Sequence, residues 1–249
     1  MYNSDALLLA RARDLVKQCE RGAAAKFSAF LDGAEQARIL EKIGFYGFNA
    51  KMFGGYEGAE RKILGVFPEW QEAREEDFPI TPLRFDVPKF RHLTHRDYLG
   101  TVMSLGLDRN KTGDILTDDD GAYIFLEQSI AEYVERNVNK IANIGVKGRI
   151  IDMADFAAPK PKTVTKMCVC ASLRLDAVIA AALNISRANA ENLIREGYVK
   201  VNHREILDRS KQVNTEDLMS VRNYGRFILK DTGNNTRKGR LHIVVEKYV

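Results

Sequence analysis

The stretch LRLDAVIAAALNISRANAENLIREGYVKVNHREI, residues 173–206, restricts the fold more than any other part of the chain. Leu175, Val178, Ile179 and Ala182 recur at i, i+3, i+4 and i+7, the period of an amphipathic helix. Asn184 closes that helix. Ser186 is a natural N-cap for a second, whose buried stripe is Ala190, Leu193 and Ile194. Gly197 stands where a left-handed C-cap belongs. In the strand YVKVNHR that follows, Val199 and Val201 point one way, and Tyr198, Lys200, Asn202 and Arg204 the other. The pattern therefore sets a helix N-terminus beside a polar strand face. Free N–H groups and a partial positive charge at that terminus suit phosphate. Arg187 adds a two-pronged donor, and Lys200 and Arg204 extend the cationic track. The expected ligand is a phosphate backbone. For Lys200 and Arg204 a solvated strand face is the competing reading, and Arg174 either joins the cradle, pairs with Asp176 or closes a helix end.

Charge is spread in a way that fits this cradle. From Pro159 to Val249 there are 17 Lys and Arg against 9 Asp and Glu, whereas the first 158 residues hold 21 against 25. A basic end of this kind suggests a polyanionic partner, with a solvated basic surface as the alternative. The 249 residues, 45% hydrophobic and 29% charged, suit an ordinary globular chain of one large domain or two to three small ones. No apolar run approaches the roughly 18 residues a membrane span requires. The start DALLLARARD is too short and too charged for a signal peptide, so membrane insertion is not expected and the expected location is cytoplasmic. Three cysteines do not make a disulfide framework. Cys168 and Cys170 alternate along a predicted strand, and no second pair completes a zinc site, so they read as reduced and partly buried.

The rest of the chain predicts two further modules, giving an α+β protein in three parts: an N-terminal α/β domain at 1–79, a central domain at 80–158 and the C-terminal domain at 165–249. Residues 1–43 read as mostly helical, with Phe27, Phe30 and Leu31 following the Gly22–Ala25 break and Asp32 capping AEQARILEKI. FYGFNAKMF and RKILGVF read as strands joined by the Gly-rich GGYEGAE. Pro79 and Pro82 mark a boundary. LRFDV, HRDYLGTVMSLG, GDIL, GAYIFLE, the stripe Ile130, Tyr133, Val134 and Val138, and a strand within NIGVKGRIIDMADF then give the order β-α-β-β-α-β. Many RNA-binding modules share that order and size. PKPKTVTK, 159–166, reads as a linker.

Residues 173–230 resemble the S4-type RNA-binding domain, through the Arg-Leu-Asp entry, Ser-Arg at the second helix, Gly-x-Val-x-Val-Asn, and the later Val-Arg with Gly-Arg. His203 and Glu216 depart from it, standing where turn glycines are common. GGYEGAERK (54–62), HRDYLGTVMSLGLDRNKTGDIL (95–116) and NYGRF with RKGR extend the resemblance to the YlmH type of S4-domain protein, over nearly the whole length. That resemblance implies RNA-facing roles for Arg174, Ser186, Arg187, Lys200 and Asn202. Proximity in the motif adds Arg204, Arg222 and Arg226, Asn189 and Lys211 are further RNA-binding candidates, and the basic loop TRKGR adds Arg237, Lys238 and Arg240 as a phosphate grip or an exposed turn. Tyr198 and Tyr224 either stack on bases or pack against a neighbouring strand. The resemblance further implies ribosomal RNA or tRNA on the large ribosomal subunit as partner, within ribosome-associated quality control of stalled translation. A monomer without cofactor is expected. The competing readings are a scaffold for cell-division proteins and a DNA-binding module built on the two short helices.

Enzymatic chemistry finds little support. HRD at 95–97 lacks the glycine loop and D-F-G of a kinase. His92 and His95 lack the glutamate and third ligand of a zinc hydrolase, and there is no phosphate-binding G-x-x-x-x-G-K-[ST].

Overall fold

The computed structural model describes residues 2–88, 93–159, 163–235 and 239–248. Its packing divides into two units, Met1–Pro159 and Lys160–Val249. The first opens with helix α1 (Tyr2–Gly22), strand β1 (Lys26–Leu31) and helix α2 (Gly33–Lys42). Asp32 caps α2 as the sequence predicts: its carboxylate accepts from the N–H groups of Ala34 and Glu35, both at 2.9 Å, and the Asp32 N–H donates to Glu35 at 2.7 Å. Strands β2 (Phe48–Phe53) and β3 (Lys62–Pro68) complete an antiparallel sheet ordered β1-β3-β2.

β1 corrects the helical reading of Phe27, Phe30 and Leu31. The register against β3 shifts between Phe27 and Phe30, as a β-bulge does, and both phenylalanines pack into the same apolar cluster. Leu31 packs into the cluster on the opposite face. A bulged strand buried on both faces thus imitates the i, i+3, i+4 spacing of a helix.

The central strands and helices follow the predicted order: β4 (Ile80–Asp86), α3 (His95–Ser104), β5 (Thr112–Asp118), β6 (Gly121–Glu127), α4 (Gln128–Asn137), then β9 (Lys147–Ile150) after a small hairpin of β7 (Lys140–Ile141) and β8 (Ile144–Gly145). The antiparallel sheet is ordered β5-β6-β4-β9. Helices α3 and α4 cover one face over Leu83, Phe85, Ile124 and Val134. Helices α1 and α2 cover one face of the first sheet over Ile39, Leu64 and Val66. The remaining faces of the two sheets share a third cluster containing Phe30, Phe53, Ile63, Phe67, Phe78, Ile80 and Phe125. The division expected at 79/80 falls inside this shared unit.

A polar brace joins the same two sheets. Asp114 on β5 accepts from the Tyr56 hydroxyl at 2.8 Å and from the N–H groups of Glu60 and Arg61 at 2.6 and 3.1 Å. The Arg61 guanidinium donates to the carbonyls of Thr112 (3.0 Å) and Phe30 (3.1 Å). The GGYEGAERK motif is therefore a turn pinned onto β5. Burial pushes the Asp114 carboxyl up, against the lowering effect of the Tyr56 and Arg61 hydrogen bonds.

The second unit consists of β10 (Thr163–Cys170), α5 (Leu175–Leu183), α6 (Arg187–Arg195), β11 (Val199–Val201), β12 (Arg204–Glu205), β13 (Leu218–Val221), β14 (Gly225–Asn235) and β15 (Leu241–Tyr248). Its sheet is ordered β10-β15-β14-β13-β11-β12. Both helices pack on one face, over Val178, Ile179, Ala190, Ile194, Val199, Val201 and Phe227. The predicted linker is corrected here: Thr163–Lys166 pair with Val245–Tyr248 and start β10, a partnership with the far end of the chain that local sequence cannot reveal. Cys168 and Cys170 do share the buried face as free thiols, and burial pushes both up. Among the described residues no helix is long and apolar enough to cross a membrane, and no group of His, Cys, Asp or Glu could hold a metal.

The strand read as YVKVNHR is also corrected. It is a tight hairpin, β11 to β12, with Asn202 (φ 49°) and His203 (φ 67°) as its two loop residues. Such loops favour Asn-Gly because both residues take positive φ. His203 carries the side-chain penalty at the second position. His203→Gly is expected to stabilise the C-terminal unit by about 0.5–1 kcal/mol, read as a melting midpoint higher by roughly 2–8 °C. A lower midpoint would contradict this hairpin geometry.

Candidate nucleic-acid interface

Asp176 organises the mouths of α5 and α6. It is fully buried at the second position of α5. Arg187, the first residue of α6, directs Nε and Nη2 to one Asp176 oxygen at 2.9 and 2.8 Å. Arg174, the N-cap of α5, donates to the same carboxylate at 3.2 and 3.3 Å, and the Ala177 N–H adds a bond at 2.9 Å. Burial alone would raise this carboxyl. The hydrogen bonds from Arg174 and Arg187, with their charges, outweigh it and hold the group below the usual carboxylate range. A cation at the first position of a helix opposes the macrodipole. The shared carboxylate is what lets Arg187 sit there. Glu191 continues the network, 3.8 Å from Arg187 and paired also with Arg209.

This network alters the expected geometry of the cradle. The Nε/Nη2 edge of Arg187, expected to face phosphate, faces Asp176. Ser186 accepts from the Asn189 N–H at 3.2 Å, so these two residues form the cap of α6. At α5 the first N–H groups are taken: Leu175 donates to the Lys211 carbonyl at 2.9 Å and Asp176 to the Arg209 carbonyl at 3.3 Å. The loop carrying Arg209 and Lys211 thus lies against Arg174, which bridges to Gln212. The mouth gathers Arg174, Arg187, Arg209 and Lys211 around Asp176 and Glu191.

A second gathering lies on the sheet face opposite the helices. Lys200 on β11 stands opposite Ser220 on β13, which stands opposite Arg226 on β14. Residues directly paired across antiparallel strands share a face. The next strand brings Tyr248, whose ring centroid lies 5.1 Å from the Arg226 guanidinium. Arg222, on the hairpin joining β13 and β14, lies 5.0 Å from the centroid of Tyr198, and its N–H donates to the Tyr198 carbonyl at 2.9 Å. Tyr224, in the same hairpin, is 38% exposed.

Two predicted residues leave this row. The hairpin pairs Val201 with Arg204 and Lys200 with Glu205, so Glu205 shares the face of Lys200 and Arg204 does not. The Asn202 amide staples the hairpin to the preceding turn of β13, donating to Asp217 at 2.7 Å and accepting from the Leu218 N–H at 2.9 Å. Arg240 is exposed just before β15. Arg237, Lys238 and His92 lie outside the described residues. Arg209, Ser220 and Tyr248 carry no signal that singles them out in the sequence, and Asp176 entered only as the alternative partner of Arg174, a pairing the structure contains. Asp176 left a signal, a lone charge in the apolar run LDAVIAAAL, whereas Tyr248 becomes visible only once the register is known.

Among the described residues the central sheet, by contrast, offers no open platform on its inner strands. Modules of this topology stack bases on aromatic residues of the sheet face away from the helices. Here that face carries Tyr123 and Phe125. Phe125 is fully buried, with Tyr56 at 5.2 Å and Phe156 at 5.0 Å between ring centroids. Tyr123 lies under the Arg84 guanidinium at 4.6 Å and against Phe156 at 5.0 Å. Arg84 is itself clamped by Asp86 at 2.7 Å and Asp118 at 2.6 Å.

Comparison with known proteins follows the same division. Residues 73–155 match the family described as the putative RNA-binding domain in YlmH, and residues 173–218 match the S4 domain. The ribosome-associated protein quality control protein P2 of Bacillus subtilis (strain 168) is 31% identical over 223 residues, 89% of this chain and 87% of that protein. Among solved structures, the cell division protein ylmH from Streptococcus pneumoniae superposes with a TM-score of 0.52 at 25% identity, over 61% of this chain and 93% of that one.

Proposed function

Because this chain belongs to the YlmH family of S4-domain proteins, we propose that it binds structured RNA on the ribosome, without catalysis, through its C-terminal unit. One observation carries the reading: a fully buried carboxylate holds two arginines at the mouths of two helices inside the S4 match. Such an arrangement fixes cationic side chains in place before a phosphate backbone arrives, which lowers the ordering cost of binding. The name of the B. subtilis relative supports association with ribosomes and with protein quality control, and we place that role at stalled translation. Ribosomal RNA or tRNA at the large subunit is the proposed contact. A non-catalytic role fits the buried Asp176 and the half-buried Asp114, since arginines and a backbone N–H hold Asp176, and a tyrosine and backbone N–H groups hold Asp114.

The name of the S. pneumoniae relative favours a second reading, a division-associated scaffold. A DNA-reading helix is disfavoured, because α6 buries Ala190 and Ile194 and runs through Gly197 directly into β11. Sedimentation tests the proposal: the protein should travel with ribosomal particles and leave them once their RNA is digested. A protein that never enters those fractions favours the scaffold.

A further inference from the structure

We infer that the sheet face of the C-terminal unit holds a second RNA site, a cleft that receives one unstacked nucleotide of a single strand between Tyr198 with Arg222 and Arg226 with Tyr248. This rests on the RNA-binding reading and adds a ligand class and a place to it. Arg226 and Tyr248 lie beyond residues 173–218, the extent of the S4 match.

Two features converge there. The cleft, about 480 Å³, is lined by Tyr198, Lys200, Ser220, Arg222, Asn223 and Arg226 together with neighbouring backbone. That volume falls within the range of small-ligand sites, roughly 300–1,000 Å³. Lys200, Arg222 and Arg226 are among the lining residues, and the Glu205 carboxylate borders the cleft against Gly197. The second feature is the pair of guanidinium–aromatic stacks on its two sides. An arginine plane resting on a tyrosine is already held flat, and bases stack on both kinds of surface. Lys200 and Ser220 on the floor are placed for the sugar-phosphate. A duplex does not present such a base, whereas a loop or a single strand does.

The test uses the full-length protein and an oligouridine hexamer carrying one 2-aminopurine, whose fluorescence is quenched on stacking. The intact protein is expected to quench the probe. Tyr198→Ala and Arg222→Ala should each weaken binding about tenfold, as loss of one stacked base does. Tyr198→Phe should retain it, and Arg136→Ala, on exposed α4, should not change it. Unquenched probe, or Tyr198→Ala binding like the intact protein, overturns the site. Displacement of the hexamer by adenosine monophosphate at equal concentration also overturns it, by making a free nucleotide the occupant. A protein that binds the hexamer yet fails to sediment with ribosomes keeps this site and refutes the ribosomal reading instead.

Discussion

Replacing Arg174 and Arg187 together with alanine is expected to destabilise the C-terminal unit by about 3–5 kcal/mol at neutral pH, before any RNA is present. Asp176 has no exposed surface, and these two side chains supply its ionic partners. Removing both leaves an ionised carboxylate in the interior, the costly way to break a buried pair. The pH dependence carries a signature. In the intact protein the folded Asp176 titrates below its unfolded value, so its contribution is present above about pH 4 and is lost as pH falls through the depressed value. In the double variant, burial without a partner raises the folded value above the unfolded one. The penalty is then full at neutral pH and relieved on acidification. Urea midpoints at pH 7 and pH 5 read this directly: the gap between variant and intact protein should narrow at pH 5. An unchanged midpoint at pH 7 would mean that Asp176 is not organised by these arginines. Loss of RNA binding in this variant therefore reports folding as well as contact, and charge-preserving changes such as Arg174→Lys separate the two.

Phe125→Ala is expected to cost the N-terminal unit about 3–5 kcal/mol, the range for truncating a buried aromatic. The ring fills the space between Tyr56 and Phe156, and a methyl group at Gly55 would already stand 2.4 Å from it. If β6 were an open base-stacking platform, the same change would leave stability intact and remove RNA affinity. Thermal unfolding and RNA titration of the folded variant distinguish the outcomes. A large stability loss with unaltered affinity supports the closed sheet face; unaltered stability with lost affinity contradicts it.

The parts that sequence made legible are those in which local pattern and packing agree. The α5–α6 pair declared itself through one apolar stripe per helix, the Ser186 cap and a Gly197 held at φ 74°. The central β-α-β-β-α-β order was readable for the same reason. What escaped depends on pairing between distant residues. The bulge in β1 placed Phe27 and Phe30 on one face at helical spacing, and β10 found its partner at the far end of the chain. In the site, the two-residue hairpin returned the chain after Val201, so Arg204 left the face of Lys200 and Glu205 took its place. The Arg174–Asp176 pair was one of two readings open from sequence, yet only the folded helices show that Arg187 turns toward the same carboxylate. The closure of the central sheet was hidden because its cover, the segments carrying Tyr56 and Phe156, comes from outside the module's own strands.

The most direct test of the central claim is sedimentation of cell lysate through sucrose gradients at low and high salt, with and without ribonuclease, following the intact protein. Binding through phosphate contacts predicts co-migration with ribosomal particles at low salt, and release to the top of the gradient as salt rises or RNA is digested. A protein that stays at the top at low salt, or that remains in the particle fractions after the RNA is gone, would contradict it.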